Sequence, residues 1–100
     1  MTNNFTVGVR ELPGLNSLEV NPNPAQSGQS LNVEINISES LKADLRLYNI
    51  HGQLMHTGQL NLNVGANVYA LNTSGLSNGV YVLTVENQEG ISQKKIIITK

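Results

Sequence analysis

Leu31-Asn32-Val33-Glu34-Ile35-Asn36-Ile37 alternates apolar and polar residues without a break. A period of two puts Leu31, Val33, Ile35 and Ile37 on one face of an extended chain and the polar residues on the other, the signature of a half-buried β-strand. Working outward, the same grammar repeats. Ala43 to Ile50 alternates and then turns apolar on both faces, and His51-Gly52 marks a tight turn. Gln53 to Leu62 is a further extended run in which Gly58 suggests a bulge or bend. Asn63-Val64-Gly65 turns again, before a strand over Ala66 to Leu71. Ser77-Asn78-Gly79 supplies residues that tolerate a sharp turn. Val80 to Val85 is almost continuously apolar, so a central strand covered on both sides is expected. Asn87-Gln88-Glu89-Gly90 then reads as a hairpin loop, with Ile91 to Thr99 returning alongside. Upstream, Leu18 to Asn21 is extended and is halted by Pro22 and Pro24, after which Ala25 to Gln29 reads as a loop. Residues 1–17 mix Asn, Thr, Gly and Pro and are expected to be a linker. Ser38 to Ala43 is the one helical rival and is too short to be more than a turn. The expected fold is all-β: an immunoglobulin-like β-sandwich of about seven antiparallel strands.

Bulk properties narrow the function. The 100 residues make one domain length, and 39% apolar residues suffice for a modest core. Charged residues are only 13%, while asparagine occurs 14 times, keeping surfaces polar and turns available. A net charge of −1 argues against nucleic acid as a partner, because phosphate contacts need a basic excess. That charge is uneven: Lys94, Lys95 and Lys100 are half of the 6 basic residues, and no acid follows Glu89. With 0 cysteines, disulfide frameworks and thiolate metal sites are excluded. Residues 1–16 contain no apolar segment of the signal-peptide kind, so a secretory leader is not expected there.

No constellation points to catalysis. His51 and His56 have no Asp, Glu or Cys between residues 45 and 85 to join them, which speaks against a metal site. Asp44 is the sole aspartate and no Gly-x-Ser-x-Gly elbow occurs, so a hydrolytic triad lacks its parts. Tyr48 and Tyr81 fall in apolar strands and are expected to pack in the core with partnered hydroxyls. The run Ile96-Ile97-Ile98 is flanked by Lys94, Lys95 and Lys100. Such lysines act as gatekeepers against aggregation, or they make the segment an address that a partner reads.

The order of elements resembles the C-terminal sorting domain of type IX secretion (Por secretion) cargo, the type A class of Bacteroidetes. That family opens with a strand running into Pro-Asn-Pro-Ala, here Pro22-Asn23-Pro24-Ala25. A strand ending in Tyr-Asn with a glycine three residues on follows, here Tyr48-Asn49 and Gly52. Next comes a Gly-Val-Tyr strand, here Gly79-Val80-Tyr81, and last a lysine-rich aliphatic segment, here Lys94 to Lys100. The resemblance spans residues 18–100 and departs from the family at Asn21, where tyrosine is common.

The resemblance implies that residues 18–100 are the export address of a larger protein. The partners implied are an outer-membrane type IX translocon or shuttle protein and a sortase-like cysteine peptidase that removes the domain. The implied route passes through the periplasm to the cell surface or the medium, with the cut inside residues 1–17. Lys94, Lys95, Ile96, Ile97, Ile98 and Lys100 are expected to form the segment the translocon recognises, through backbone pairing or lysine charge. No catalytic activity, cofactor, metal or small-molecule substrate is expected. The rival from another class is an adhesion or carbohydrate-binding appendage of a secreted protein. A spacer, or a dimer made by pairing edge strands between copies, is the third reading.

Overall fold

Among the described residues, eight strands carry the alternation of the sequence into two sheets. The computed structural model describes residues 11–26 and 28–99. In chain order the strands are β1 (Leu15–Asn21), β2 (Ala25–Gln26), β3 (Leu31–Ile37), β4 (Leu41–Asn49), β5 (Leu54–Leu62), β6 (Gly65–Leu71), β7 (Gly79–Asn87) and β8 (Gly90–Thr99). One sheet has the order β1-β3-β6 and the other β2-β8-β7-β4-β5. No helix forms among the described residues. Each sheet has an apolar face that water disfavours, and stacking the two faces removes both from solvent.

The core follows the period of two. Leu31, Val33, Ile35 and Ile37 of β3 are all buried, as are Leu45 and Leu47 of β4, Leu83 and Val85 of β7, and Ile96 and Ile98 of β8. In the five-stranded sheet, Leu45 stands opposite Val85, and Tyr81 opposite Ile96. Their neighbours in sequence point to the other face.

Four details differ from the reading of the sequence. First, β7 is central, hydrogen-bonded to β4 and β8, yet only its inner face is covered along its length. Val80 is 38% exposed and Val82 half-buried on the outer face, because no third layer of the described residues lies over it; only Thr84, beside Glu86, is buried there. Second, the packed chain starts before Leu18. Leu12 is buried, its N–H donates to Ser92 Oγ at 3.2 Å, and β1 begins at Leu15. The turn Leu12-Pro13-Gly14-Leu15 is closed by a 3.3 Å bond from the Leu15 N–H to the Leu12 carbonyl. Residues 1–10 of the expected linker lie outside the described residues. Third, Ala25 and Gln26 are not loop: they pair in parallel with Ile98 and Thr99, the one parallel pairing among the described residues. Fourth, Gly58 is no bulge. It pairs in register with Leu45, and the register shift of that ladder falls at Leu47/Tyr48.

Gly58 is glycine because of a neighbour in the other sheet. A Cβ there would stand 2.6 Å from Tyr69 Oη and 3.2 Å from Tyr69 Cζ. Tyr69, on β6, reaches across to β5, and its hydroxyl meets His56 Nε2 at 2.9 Å. Strands β5 and β6 are outermost in their respective sheets, so this contact closes one open side of the sandwich. Between β1 and β8, Lys94 Nζ lies 3.7 Å from Glu19 Oε1, beside the Leu12–Ser92 bond.

The asparagine surplus has a structural use. Asn49, Asn67, Asn72 and Asn87 each accept backbone N–H bonds through the side-chain oxygen in turns or loops. Asn67 also donates to the carbonyls of Ile35, Asn63 and Gly65, fixing the crossover from β5 to β6. These bonds satisfy turn backbone without adding charge.

Candidate functional site

Strand β8 is the centre of the site, and its edge is closed by an unusual device. Pro22 and Pro24 have no N–H to give a ladder, so this stretch cannot continue as an ordinary strand. The side chain of Asn23, between them, substitutes for a peptide group. Its Nδ2 donates to the Lys95 carbonyl at 3.0 Å, and its Oδ1 accepts the Ile97 N–H at 3.1 Å. Ala25, 1% exposed, and Gln26 then continue along Ile98 and Thr99, and Thr99 Oγ1 donates to the Ala25 carbonyl at 3.3 Å. The Pro22–Gln26 stretch is thus a clip along the outer edge of β8 from Lys95 to Thr99. An open edge would be a template for foreign strands.

Asn23→Ala removes both side-chain bonds at once. It is expected to destabilise the domain by roughly 1–2 kcal/mol, two partly solvated hydrogen bonds at about 0.5–1.5 each with the ordering entropy of the side chain returned. Amide hydrogen exchange at Ile97 should accelerate, while exchange at Leu83 in the sheet centre follows only the global change. Unchanged protection at Ile97 would mean that the clip does not guard the edge.

The pleat divides the lysine–isoleucine segment. Ile96 and Ile98 are 0% and 2% exposed and belong to the core. Lys95 and Ile97 point outward, with Ile97 38% exposed. Lys94 is half-buried on the inner side and engaged with Glu19, an exposed pair that contributes little to stability. Lys100 lies outside the described residues.

The other motif positions surround this strand. Gly79 opens β7 opposite Ile98, and Val80 stands opposite Ile97. Tyr81 is buried opposite Ile96, and its hydroxyl donates to the Ser77 carbonyl at 2.7 Å, satisfying a polar group in an apolar place. Tyr48 departs from the expected core position. It lies on the outward face of β4, half-buried, in register with Val82 and Leu54, because the inward parity belongs to Leu45 and Leu47. Asn49 organises the turn that follows: its Oδ1 accepts from the N–H groups of His51 and Gln53 at 2.9 and 3.0 Å. Its carbonyl accepts from the Gly52 N–H at 3.0 Å, and Gly52 has φ +82°, a backbone that side chains with a Cβ resist.

The two histidines stand in different surroundings. His51 is exposed in the turn, and His56 lies on β5 against Tyr69. Among the described residues no group of three or more His, Cys, Asp or Glu could hold a metal ion. An open groove near Lys42 and Gln59 is floored by charge pairs, with Arg46 Nη1 3.0 Å from Glu86 Oε2 and Nη2 3.8 Å from Asp44 Oδ2. The Glu86 charge and its hydrogen bond raise the Arg46 pKa above its ordinary value.

The motif positions therefore gather about one strand: proline-rich clip on one edge, Gly-Val-Tyr strand on the other, Tyr48 one strand further. The family model of the secretion system C-terminal sorting domain matches residues 19–99. This chain belongs to that family. Its members are sorting signals rather than catalysts, so this domain directs a protein through the type IX secretion system to the cell surface or beyond by engaging the secretion machinery. None of the curated protein sequences matches the chain. Among solved structures, CHIR-AB1, an immunoglobulin-like protein, is similar at TM-score 0.52 and 18% identity over 88% of this chain and 100% of that one. This likeness is one of fold alone. Two structures of a beta-glucosidase from Listeria innocua are similar at TM-scores of 0.47 and 0.46, with 14% and 15% identity. Those matches cover 84% of this chain and 16% of the enzyme.

What sequence reasoning missed is Asn23 as an edge clip and the outward row of β7. The Pro-Asn-Pro spelling is a signal that a side chain must replace backbone pairing, but its partner lies 72 residues away.

Proposed function

We propose that the sorting domain begins at Leu12 and is the export address of a larger protein that reaches the periplasm before crossing the outer membrane. A translocon or shuttle protein of the outer membrane reads the terminal strand, with Lys94, Lys95, Ile96, Ile97, Ile98 and Lys100 as the segment it depends on. Ile96 and Ile98 serve by holding the strand in the core, and the outward residues serve by contact. A sortase-like cysteine peptidase then removes the domain by cutting upstream of Leu12. A peptidase needs extended, accessible backbone, which the buried Leu12 and strand β1 would withhold. The observation that carries this reading is the interlock of the Pro22–Ala25 motif with β8 through Asn23. It unites the first and last family motifs in one structural unit.

The test is a reporter with a Sec leader, fused or not to residues 1–100, in a bacterium with an intact type IX system and in its translocon-deficient counterpart. Export is expected only for the fusion, and only with the translocon present. A folded fusion that stays in the periplasm of the intact strain would reject the reading. Mass spectrometry of the exported reporter should place its new C-terminus before Leu12; a terminus within residues 12–99 would reject the cleavage proposal.

A further inference from the structure

Five strands of the larger sheet turn one face to solvent, and that face changes character along its length. At one end it is polar, with Arg46 engaging Glu86 and Asp44. At the other end the register sets Ile97 beside Val80, Lys95 beside Val82, Val82 beside Tyr48, and Tyr48 beside Leu54. Ile97 and Val80 are each 38% exposed and Leu54 51%. Apolar side chains set side by side on an outer face, with polar residues around them, are the pattern of an interaction surface rather than of scattered surface hydrophobics.

We infer that this apolar end of the outer face, and not the strand edge, is where the secretion machinery holds the domain, and that the occupant is an apolar protein surface carrying an acidic group. The inference rests on the sorting function proposed above and locates its contact surface. Three observations lead to it. The edge of β8 from Lys95 to Thr99 is closed by Asn23, Ala25 and Gln26, so strand addition there would first have to displace the clip. Ile96 and Ile98 are in the core and present nothing. Of the outward residues of the terminal strand, Lys95 and Ile97 are continuous with Val80, Val82 and Tyr48. The acidity of the occupant follows from charge complementarity. The acids on this face are engaged by Arg46, and Lys95 has no ion-pair partner among the described residues.

The test uses the full-chain reporter fusion. Val82→Thr with Ile97→Thr keeps β-branched shape, and Lys95→Glu reverses the charge of an exposed side chain. Each is expected to lower export roughly tenfold, the loss of about one well-packed interface anchor, with the melting temperature of the purified domain unchanged. Val68→Thr, at a 65% exposed position on β6 of the other sheet, should export as the parent does. Undiminished export of both the double variant and Lys95→Glu overturns the inference while leaving the sorting function standing. Failure of the parent fusion overturns the sorting function, and this inference with it. Should the double variant melt lower, Lys95→Glu decides. A parent domain that sediments as a dimer dissolved by Ile97→Thr, with export undiminished, would assign the face to a second copy and overturn the inference.

Discussion

A chain ending at Gln93 is expected not to fold. The deletion removes Ile96 and Ile98, 0% and 2% exposed in the parent. Truncating one such aliphatic side chain costs about 2–5 kcal/mol. Losing two of them, with the backbone that carries them, takes roughly 4–10 kcal/mol from a total that is usually 5–15. The deletion also strips β7 of its ladder partners from Gly79 to Leu83 and uncovers Tyr81 and Leu83. Circular dichroism and proton NMR dispersion should show an uncooperative chain; a cooperative melt near that of the parent would refute this. The consequence reaches beyond stability. A truncated domain that fails to be exported reports the loss of the fold and says nothing about recognition. Outward substitutions at Lys95 and Ile97 separate the two, because the pleat turns those side chains away from the core that Ile96 and Ile98 fill.

The same division explains what could be read from the sequence. The alternation at Leu31 to Ile37 depends on local geometry alone, and β3 stands where it was expected. The hairpin between β7 and β8 follows from Asn87 to Gly90, whose turn chemistry is also local. In Val80 to Val85, an apolar run reads as a strand with both faces covered, but periodicity cannot tell a covered face from an open one. The outward position of Tyr48 was hidden for the same reason: Leu47 and Tyr48 are both apolar enough for the core, and only the parity of Leu45 decides. The Asn23 clip and the Tyr69–Gly58 contact were illegible on other grounds. They join residues whose meeting depends on how two sheets are assembled, and no spacing in the chain encodes it. The family motifs are legible as spellings. Their use emerges only when β8 is seen with Asn23 on one edge and Gly79 to Tyr81 on the other.

Gly58→Val should destabilise the domain by about 1–3 kcal/mol, the usual cost of forcing extra atoms into a packed place, and the sign should reverse when Tyr69 is absent. The added Cβ would meet Tyr69 Oη at 2.6 Å, well inside contact distance. Strand β5 cannot retreat easily, because Gly58 is held in register with Leu45, which is fully buried. The tyrosine must therefore swing out. Doing so breaks its 2.9 Å bond to His56 and uncovers the side of the sandwich where β5 and β6 meet without sharing a ladder. In a Tyr69→Ala background the clash has gone. What remains is the intrinsic preference of a strand for a β-branched residue over glycine, so Gly58→Val becomes neutral or mildly stabilising, by up to about 1 kcal/mol. A double-mutant cycle measured by chemical denaturation isolates the coupling between the two positions. A coupling near zero would mean that Tyr69 does not determine residue 58. A strong one would show that the open side of this sandwich is closed by one aromatic ring resting on a position kept free of side chain.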